Sequence, residues 1–407
     1  MRPLPALRAT LTVPAALAAA AAGYSVALLI SARRVDPRAE GEDDRRPPLR
    51  LAALVPAHDE EGTIGATLDA LNAMDYPPDA WRVCVVADNC TDTTAAIAAE
   101  RGAQVIERDD IDRRGKGYAL RLGMDTLLAD PERVDAIIVI DADCRTTPDL
   151  AAAVSRSLRA GAAATQSSYV VANPSESPYS ALRFAAFAAI NVIRPRGRDR
   201  LGMSAGLLGT GMSFSRALLE RHPWSAYGLA EDGEFHLTLV AAGERVRFAG
   251  GAVESPMPTS FGDAASQQSR WEGGRLALIR TWLPRLLRDA AHRRDPIPAV
   301  AAIDLITPPL SITVAGTLCT AVLAALLRAR RPFRLSLLGL AGHAAYVFGT
   351  LATVGAPQSV YRSLFAAPVL ALRELRIVLD IARGRGPKEW KRTTRATPQS
   401  RGDRAHP

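Results

Sequence analysis

The sequence predicts an α/β domain on a largely parallel sheet, joined to a membrane by apolar helices. Two patterns carry this. Between residues 48 and 290, short apolar runs alternate with helix-patterned stretches, as in a sheet whose strands are linked by crossover helices. Before and after that segment lie apolar stretches long enough to cross a bilayer, which takes about 20 residues. The 407 residues therefore divide into an anchor (1–34), an α/β segment (48–290), a second membrane region (297–383) and a basic tail (384–407).

The anchor rests on Leu11 to Ile30, which is apolar and rich in alanine. Arg33, Arg34, Arg38, Arg45 and Arg46 follow it, against only Arg2 and Arg8 before it. Basic flanks stay in the cytosol, so the α/β segment is expected inside. Arginines directly after a long apolar core also argue against a cleaved leader.

The first strand is Leu51-Ala52-Ala53-Leu54-Val55, stopped by Pro56-Ala57-His58-Asp59-Glu60-Glu61. A helix-like stretch from Thr63 to Met74 leads to Val83-Cys84-Val85-Val86-Ala87, stopped by Asp88-Asn89-Cys90-Thr91-Asp92. The run Ile137-Ile138-Val139-Ile140 ends in Asp141-Ala142-Asp143 and reads as a buried parallel strand. Ligands bind beyond the carboxyl ends of such strands. Asp59, Glu60, Asp88, Asp141 and Asp143 are thus expected to converge there, and paired carboxylates can hold a hard cation against a diphosphate. An acidic turn after a core strand is the plain alternative.

Arg113-Arg114-Gly115-Lys116-Gly117 offers basic residues flanked by glycine that can approach phosphates, or equally a solvated turn. Gly206 to Gly211 allows close backbone approach. Glu231, Asp232 and Glu234 precede an apolar-periodic stretch from Phe235 to Val240, where acids suit a helix N-terminus for dipole reasons alone. Gln267-x-x-Arg270-Trp271 sets an amide, a guanidinium and an indole on one helix. Arginine suits a diphosphate and tryptophan a sugar face, although tryptophan also anchors at membrane interfaces.

The second membrane region holds apolar stretches from Ala299 to Leu327 and from Leu335 to Gly355, with Arg328, Arg330, Arg331 and Arg334 between them. Two crossings there would put this basic loop outside, against the usual bias, unless Pro308-Pro309 breaks the first stretch into an interfacial or re-entrant piece. Leu364 to Ile381 mixes leucines with Arg373, Glu374, Arg376 and Asp380, as an interfacial amphipathic helix does. The formal charge of +8 gathers near these spans and in the tail, which fits anionic lipid better than nucleic acid. No nucleic-acid module is present in the sequence, and no nucleic-acid partner is expected. Cys84, Cys90, Cys144 and Cys319 lack the spacing of a disulfide framework or a cysteine metal site.

Taken together, Val55 to Glu61, Ala87 to Asp92, Arg114-Gly115-Lys116-Gly117, Asp141-Ala142-Asp143, Glu231-Asp232 and Gln267-Gln268-Ser269-Arg270-Trp271 stand in the order seen in family 2 glycosyltransferases. The chain resembles their membrane-bound branch, which contains cellulose, hyaluronan and poly-N-acetylglucosamine synthases and ceramide glucosyltransferases. That resemblance covers about Leu51 to Arg280. It implies a GT-A fold, a nucleotide-sugar-binding α/β domain with a mixed, largely parallel sheet, plus transmembrane helices.

By the same resemblance, Pro56, Ala57, Glu60 and Asp88 hold the nucleoside and Lys116 touches the nucleotide. Asp141 faces the ribose and, with Asp143, a Mg²⁺ or Mn²⁺ ion. Asp232 is the base, beside Glu231, and Gln267, Arg270 and Trp271 serve the acceptor and diphosphate. His58 stands where many relatives carry an aromatic residue, and Ala230 where they carry threonine.

The expected protein is a multi-pass membrane enzyme with its catalytic domain in the cytosol. It inverts configuration as it moves a sugar from a nucleotide diphosphate sugar, a UDP-sugar foremost, to a growing polysaccharide or a lipid. Single addition to a glycolipid is the nearest alternative. A sugar-phosphate nucleotidyltransferase would need a glycine-rich, arginine-bearing loop where Pro56 to Glu61 stands, and a noncatalytic scaffold would make the acidic motifs coincidental.

Overall fold

The computed structural model describes residues 10–34 and 47–383; the basic tail (384–407), Arg2, Arg8, Arg38, Arg45 and Arg46 lie outside them. In chain order the elements are α1 (Thr12–Ala32), β1 (Leu51–Ala57), α2 (Ile64–Asn72), β2 (Trp81–Asp88), α3 (Thr94–Glu100), β3 (Gln104–Arg108), α4 (Lys116–Ala129), β4 (Ala136–Val139), β5 (Arg145–Thr146) and α5 (Leu150–Arg159). They continue with β6 (Ala164–Val171), α6 (Pro178–Phe187), a π-helical turn (Ala188–Ile193), α7 (Arg194–Arg200), β7 (Met212–Ser215), α8 (Arg216–Arg221), α9 (Glu231–Ala241) and β8 (Val246–Ser255). The C-terminal helices are α10 (Phe261–Arg293), α11 (Pro296–Ile306), α12 (Leu310–Leu326), α13 (Arg330–Thr353), α14 (Gln358–Ser363) and α15 (Ala367–Ala382).

The strands form one sheet in the order β3-β2-β1-β4-β7-β6-β8-β5. Ladders β3-β2, β2-β1, β1-β4 and β6-β8 are parallel, and β4-β7, β7-β6 and β8-β5 are antiparallel. The expected mixed, largely parallel sheet is therefore present. Strands buried on both faces read as continuous apolar runs, and side chains along each run alternate between two cores. Ala52, Leu54, Ile137 and Val139 join Leu120, Leu127 and Phe235 on one face, while Leu51, Ala53, Val55 and Ile138 join Ile64, Leu68 and Val154 on the other.

Two glycines of the basic motif have steric reasons. Gly115 turns the chain into α4 at φ +127°, where a side chain is strained. At Gly117 a Cβ would stand 2.2 Å from the carbonyl oxygen of Ala226, so only glycine lets α4 start against that loop.

Helices α1 and α13 pack by small residues. A Cβ on Gly342 would stand 2.9 Å from Cβ of Ala22, and one on Gly349 2.4 Å from Cδ2 of Leu29. Close approach through glycine and alanine is what joins helices where apolar burial gives no net drive. Arg33 closes the contact, donating to Thr353 Oγ1 at 2.9 Å and to the Gly349 carbonyl at 3.0 Å. Ala22 thus faces Gly342, and Arg33 faces Thr353. The two helices run parallel.

Helices α1 and α13 are each long and apolar enough to cross a membrane, and α11 with α12 passes as a pair bent by 74°. The bend falls at Pro308-Pro309, whose missing N–H groups cannot continue the ladder. Arg275 fills the break, donating to the carbonyls of Leu305 and Thr307 at 3.3 and 3.2 Å. The expected basic loop is shorter than the sequence implies: Arg330, Arg331 and Arg334 already lie on the first turns of α13. Beyond α14 the chain returns to the α/β domain, where Leu364, Ala366 and Ala367 pack on Tyr179 and Leu182 of α6.

Candidate active site

The carboxyl ends of β1, β2 and β4 open into one cleft of about 2300 Å³, lined by Pro56, Ala57, Glu60, Asp88, Lys116, Asp141 and Asp143. Glu231, Asp232, Gln267, Arg270 and Trp271 line the same cleft, so every candidate named from sequence is brought to it. Asp59 is the exception among the acids expected to converge. It sits at φ +52°, and its Oδ1 accepts from the Thr91 amide at 2.6 Å, which locks the β1 loop to the β2 loop.

Each acid has a distinct setting. Asp88 is buried and its Oδ1 accepts from Arg108 Nη1 at 2.5 Å and Asn89 Nδ2 at 2.9 Å. Arg108 is a site residue that sequence reasoning missed, because only the β2-β3 register, which pairs Asp88 with Arg108, brings it there. His58 Nδ1 lies 2.7 Å from the Asp88 carbonyl oxygen and fixes the first loop. Glu60 Oε2 accepts from Thr63 Oγ1 at 2.6 Å.

Asp141 is held from two sides. Its amide donates to Thr210 Oγ1 at 3.1 Å, and its Oδ1 accepts from Lys116 Nζ at 2.5 Å. Lys116 also donates to the Gly209 carbonyl at 2.8 Å and stands 3.7 Å from Glu231 Oε1. Burial opposes its charge, but Asp141 and Glu231 outweigh that and raise its pKa above the ordinary lysine value. The glycine loop at 206–211 is carried by fully buried Gln166, which donates to the Thr210 carbonyl at 2.8 Å and accepts from the Leu208 amide at 2.9 Å.

The acidic pair at the start of α9 is shaped by α10. A Cβ on Gly274 would stand 2.7 Å from Cβ of Ala230, so a small residue at 230 lets α10 close over the pair. Asp232 Oδ1 accepts from the Gly233 amide at 2.7 Å. Burial raises the Glu231 pKa to about 7, against the pull of Lys116, and also raises that of Asp232. Arg270 lies near enough for the Glu231 charge to oppose the lowering of its own pKa by burial. Trp271 is 39% exposed, with its ring centroid 6.1 Å from that of Phe187.

Ligand atoms of Asp141, Asp143 and Cys144 lie within 4.8 Å of one another. Two carboxylates are the donor set a hard divalent cation takes. The Cys144 thiol is buried and is a soft donor, whereas a hard divalent cation takes oxygen ligands. The pair Asp141 and Asp143 fits a hard ion; the cysteine adds nothing to it.

Away from the acids the cleft continues between α12 and α13, where Val314, Leu318, Leu340, Val347 and Phe348 line it. Arg194 and Arg198 of α7 meet Asp304 of α11 at the junction, Arg194 Nη1 at 3.1 Å and Arg198 Nη2 in direct hydrogen-bonding contact.

A sequence model of the family described as Glycosyl transferase family group 2 matches residues 136–362. The probable glycosyltransferase YdaM of Bacillus subtilis (strain 168) is 26% identical over 253 residues, 59% of this chain and 58% of that protein. The beta-monoglucosyldiacylglycerol synthase of Synechocystis sp. is 32% identical over 116 residues, 28% of this chain and 24% of that one. This chain thus spans little more than half of the first relative's length. Among solved structures, the mannosyltransferase PcManGT from Pyrobaculum calidifontis, in complex with GDP-Man and Mn²⁺, overlays with a TM-score of 0.54 at 20% identity, covering 93% of this chain and 100% of that one. The GT-A fold is shared. With the family matched across the Asp-x-Asp strand, the Glu-Asp helix, the Gln-x-x-Arg-Trp helix and helices α11 to α13, the chain belongs to the family 2 group of glycosyltransferases.

Proposed function

We propose that this protein is a membrane-anchored, inverting glycosyltransferase that moves one sugar from a nucleotide diphosphate sugar to a lipid acceptor at the cytosolic face. The observation that carries the acceptor is the continuity of the cleft, which runs from the Asp141 end to the apolar faces of α12 and α13. Leu318 and Phe348 line it and remain 53% and 52% exposed, as side chains meeting acyl chains would be. A growing polysaccharide would present hydroxyls to these surfaces and leave them unsatisfied.

The nucleoside is assigned to Pro56, Ala57, Glu60 and Asp88 at the ends of β1 and β2. Asp141 and Asp143 are assigned a Mg²⁺ or Mn²⁺ ion, as the PcManGT complex with GDP-Man holds Mn²⁺. Such an ion, when bound, neutralises the charge that builds on the departing diphosphate. Arg270 contributes a fixed positive charge to the same group, and Gln267 and Trp271 border the sugar and acceptor.

Asp232 removes the proton from the acceptor hydroxyl as its oxygen bonds to the anomeric carbon. The bond from that carbon to the diphosphate oxygen breaks, and the nucleoside diphosphate leaves with the electron pair. Attack opposite the leaving group inverts the configuration. A buried, raised-pKa carboxylate suits proton transfer near neutral pH, and Lys116 keeps part of the pair ionised.

Calorimetry with UDP and GDP in detergent, with and without Mn²⁺, tests the donor half of this reading. At least one should bind only with the ion, and Asp143→Asn should abolish the ion's contribution while leaving the thermal unfolding midpoint close to wild type. Nucleotide binding indifferent to both the ion and Asp143→Asn would overturn the metal assignment.

A further inference from the structure

Charge is segregated along the cleft. One end holds Asp88, Asp141, Asp143, Glu231 and Asp232, answered by Lys116 and Arg108. Toward the membrane helices the signs reverse. Arg194 and Arg198 share the single carboxylate of Asp304, and Arg183 of α6 adds a further guanidinium with no ion pair to any described carboxylate.

Arg183 is built into its place. It is only 8% exposed and lines the cleft. Its Cζ lies 5.2 Å from the ring centroid of Phe187 and 5.2 Å from that of Trp271, two aromatic faces that orient the guanidinium and share its charge. Three other arginines that line the cleft have carboxylates: Arg194 and Arg198 share Asp304, and Arg275 binds Glu272. A guanidinium that borders the cleft, fixed between two rings and with no described carboxylate beside it, is placed to take an anion.

The position relates Arg183 to the reacting groups. Trp271, whose ring it faces, lies three residues before Gly274 on α10, and Gly274 packs on Ala230 beside the acidic pair, so one helix carries both the aromatic partner of Arg183 and the wall of the acids. On the other side, Val347, Phe348 and Leu364 continue the cleft as an apolar wall.

We infer that Arg183 is an acceptor-recognition residue, and that the acceptor is a phospholipid whose phosphodiester sits on Arg183 while a headgroup hydroxyl reaches Asp232 and the acyl chains lie between α12 and α13. This deepens the proposed function and rests on it. A single negative charge at Arg183 in the same cleft as the acids satisfies the guanidinium without adding charge to the acidic pair. A phosphate monoester at the reacting position would place a dianion against Glu231 and Asp232 and would have no hydroxyl for the base to deprotonate.

The test uses the full-length protein in dodecyl maltoside and native mass spectrometry with phosphatidylglycerol, diacylglycerol and inorganic phosphate as probes. Wild type should retain phosphatidylglycerol in preference to diacylglycerol. Arg183→Gln should lose about tenfold or more of that preference, the usual worth of a charge-assisted contact, with Arg183→Lys recovering part of it. Nucleoside diphosphate binding in the presence of Mn²⁺, measured on the same samples, should be the same in all three.

Equal retention of the two lipids by wild type, or a preference that survives Arg183→Gln, overturns the inference. So does competition by inorganic phosphate as effective as that by the lipid. Loss of nucleotide binding in Arg183→Gln would reassign Arg183 to the donor. Failure of nucleotide binding in wild type, with lipid selectivity intact, would strike the proposed function alone.

Discussion

Asp232 is proposed as the base and Arg270 as a diphosphate contact in the same cleft, so their losses should differ in kind. Asp232→Asn should lower the transfer rate by about 10² to 10⁴-fold, the contribution of a general base, with nucleotide affinity close to wild type. Arg270→Ala should weaken nucleoside diphosphate binding as well, and affinity and rate measured in one preparation separate the two. Equal loss of affinity would move the base to Glu231 or Glu234. The pH profile gives a second check. Burial raises the pKa of both members of the Glu231–Asp232 pair, so protonation disables the base well above the ordinary carboxylate range. Turnover should therefore fall as pH drops, at a limb above the ordinary carboxylate range. Because Lys116 holds the Glu231 pKa down, Lys116→Gln should shift this limb to higher pH; an unmoved or lowered limb would show that the pair does not control the rate. These acids were legible in the sequence because motif spacing preserves them. Arg108 and Arg183 were not, since the first reaches Asp88 only through strand register and the second reaches Trp271 only through the packing of α6 on α10.

At the level of elements, the strands announced themselves because both faces of the sheet are covered, so that Leu51 to Val55 and Ile137 to Ile140 read as unbroken apolar runs. Strand β7, with Ser213 and Ser215, had no such signal, and its antiparallel place beside β4 follows from the return loop at 206–211. Membrane topology shows the same division. Arginine counting left the loop around Arg328 in conflict with the usual bias, and the parallel contact between α1 and α13 supplies what counting lacks. If α1 enters the cytosol at Arg33, α13 enters it at Thr353, and α12 must cross in the opposite direction. Its 17 residues span about 25 Å at 1.5 Å each, enough for a short crossing. A reporter fused after residue 46 should thus behave as cytoplasmic, and one inserted after Leu327 as exported. Cytoplasmic behaviour at both points would mean that α11 and α12 form a re-entrant loop and that α13 does not cross as proposed.

Across the whole molecule, one cleft joins the carboxyl edge of the sheet to apolar faces of α12 and α13, and α10 links them, carrying Arg270 and Trp271 and, about one turn later, Arg275, which braces the α11–α12 break. This continuity was beyond sequence reading, since it depends on how α12 and α13 lie against the α/β domain rather than on any motif; the sequence therefore put a growing polysaccharide first, with a glycolipid as the near alternative. The geometry weighs toward lipid. The most direct test is to incubate the purified protein with Mn²⁺, mixed phospholipids and a panel of radiolabelled nucleotide sugars, then to partition the products between organic solvent and water. Label from at least one donor should enter the organic phase as a single-sugar lipid, and Asp232→Asn should abolish it. Label that stays in water as polymer, or label in lipid that is unchanged in Asp232→Asn, would contradict the account.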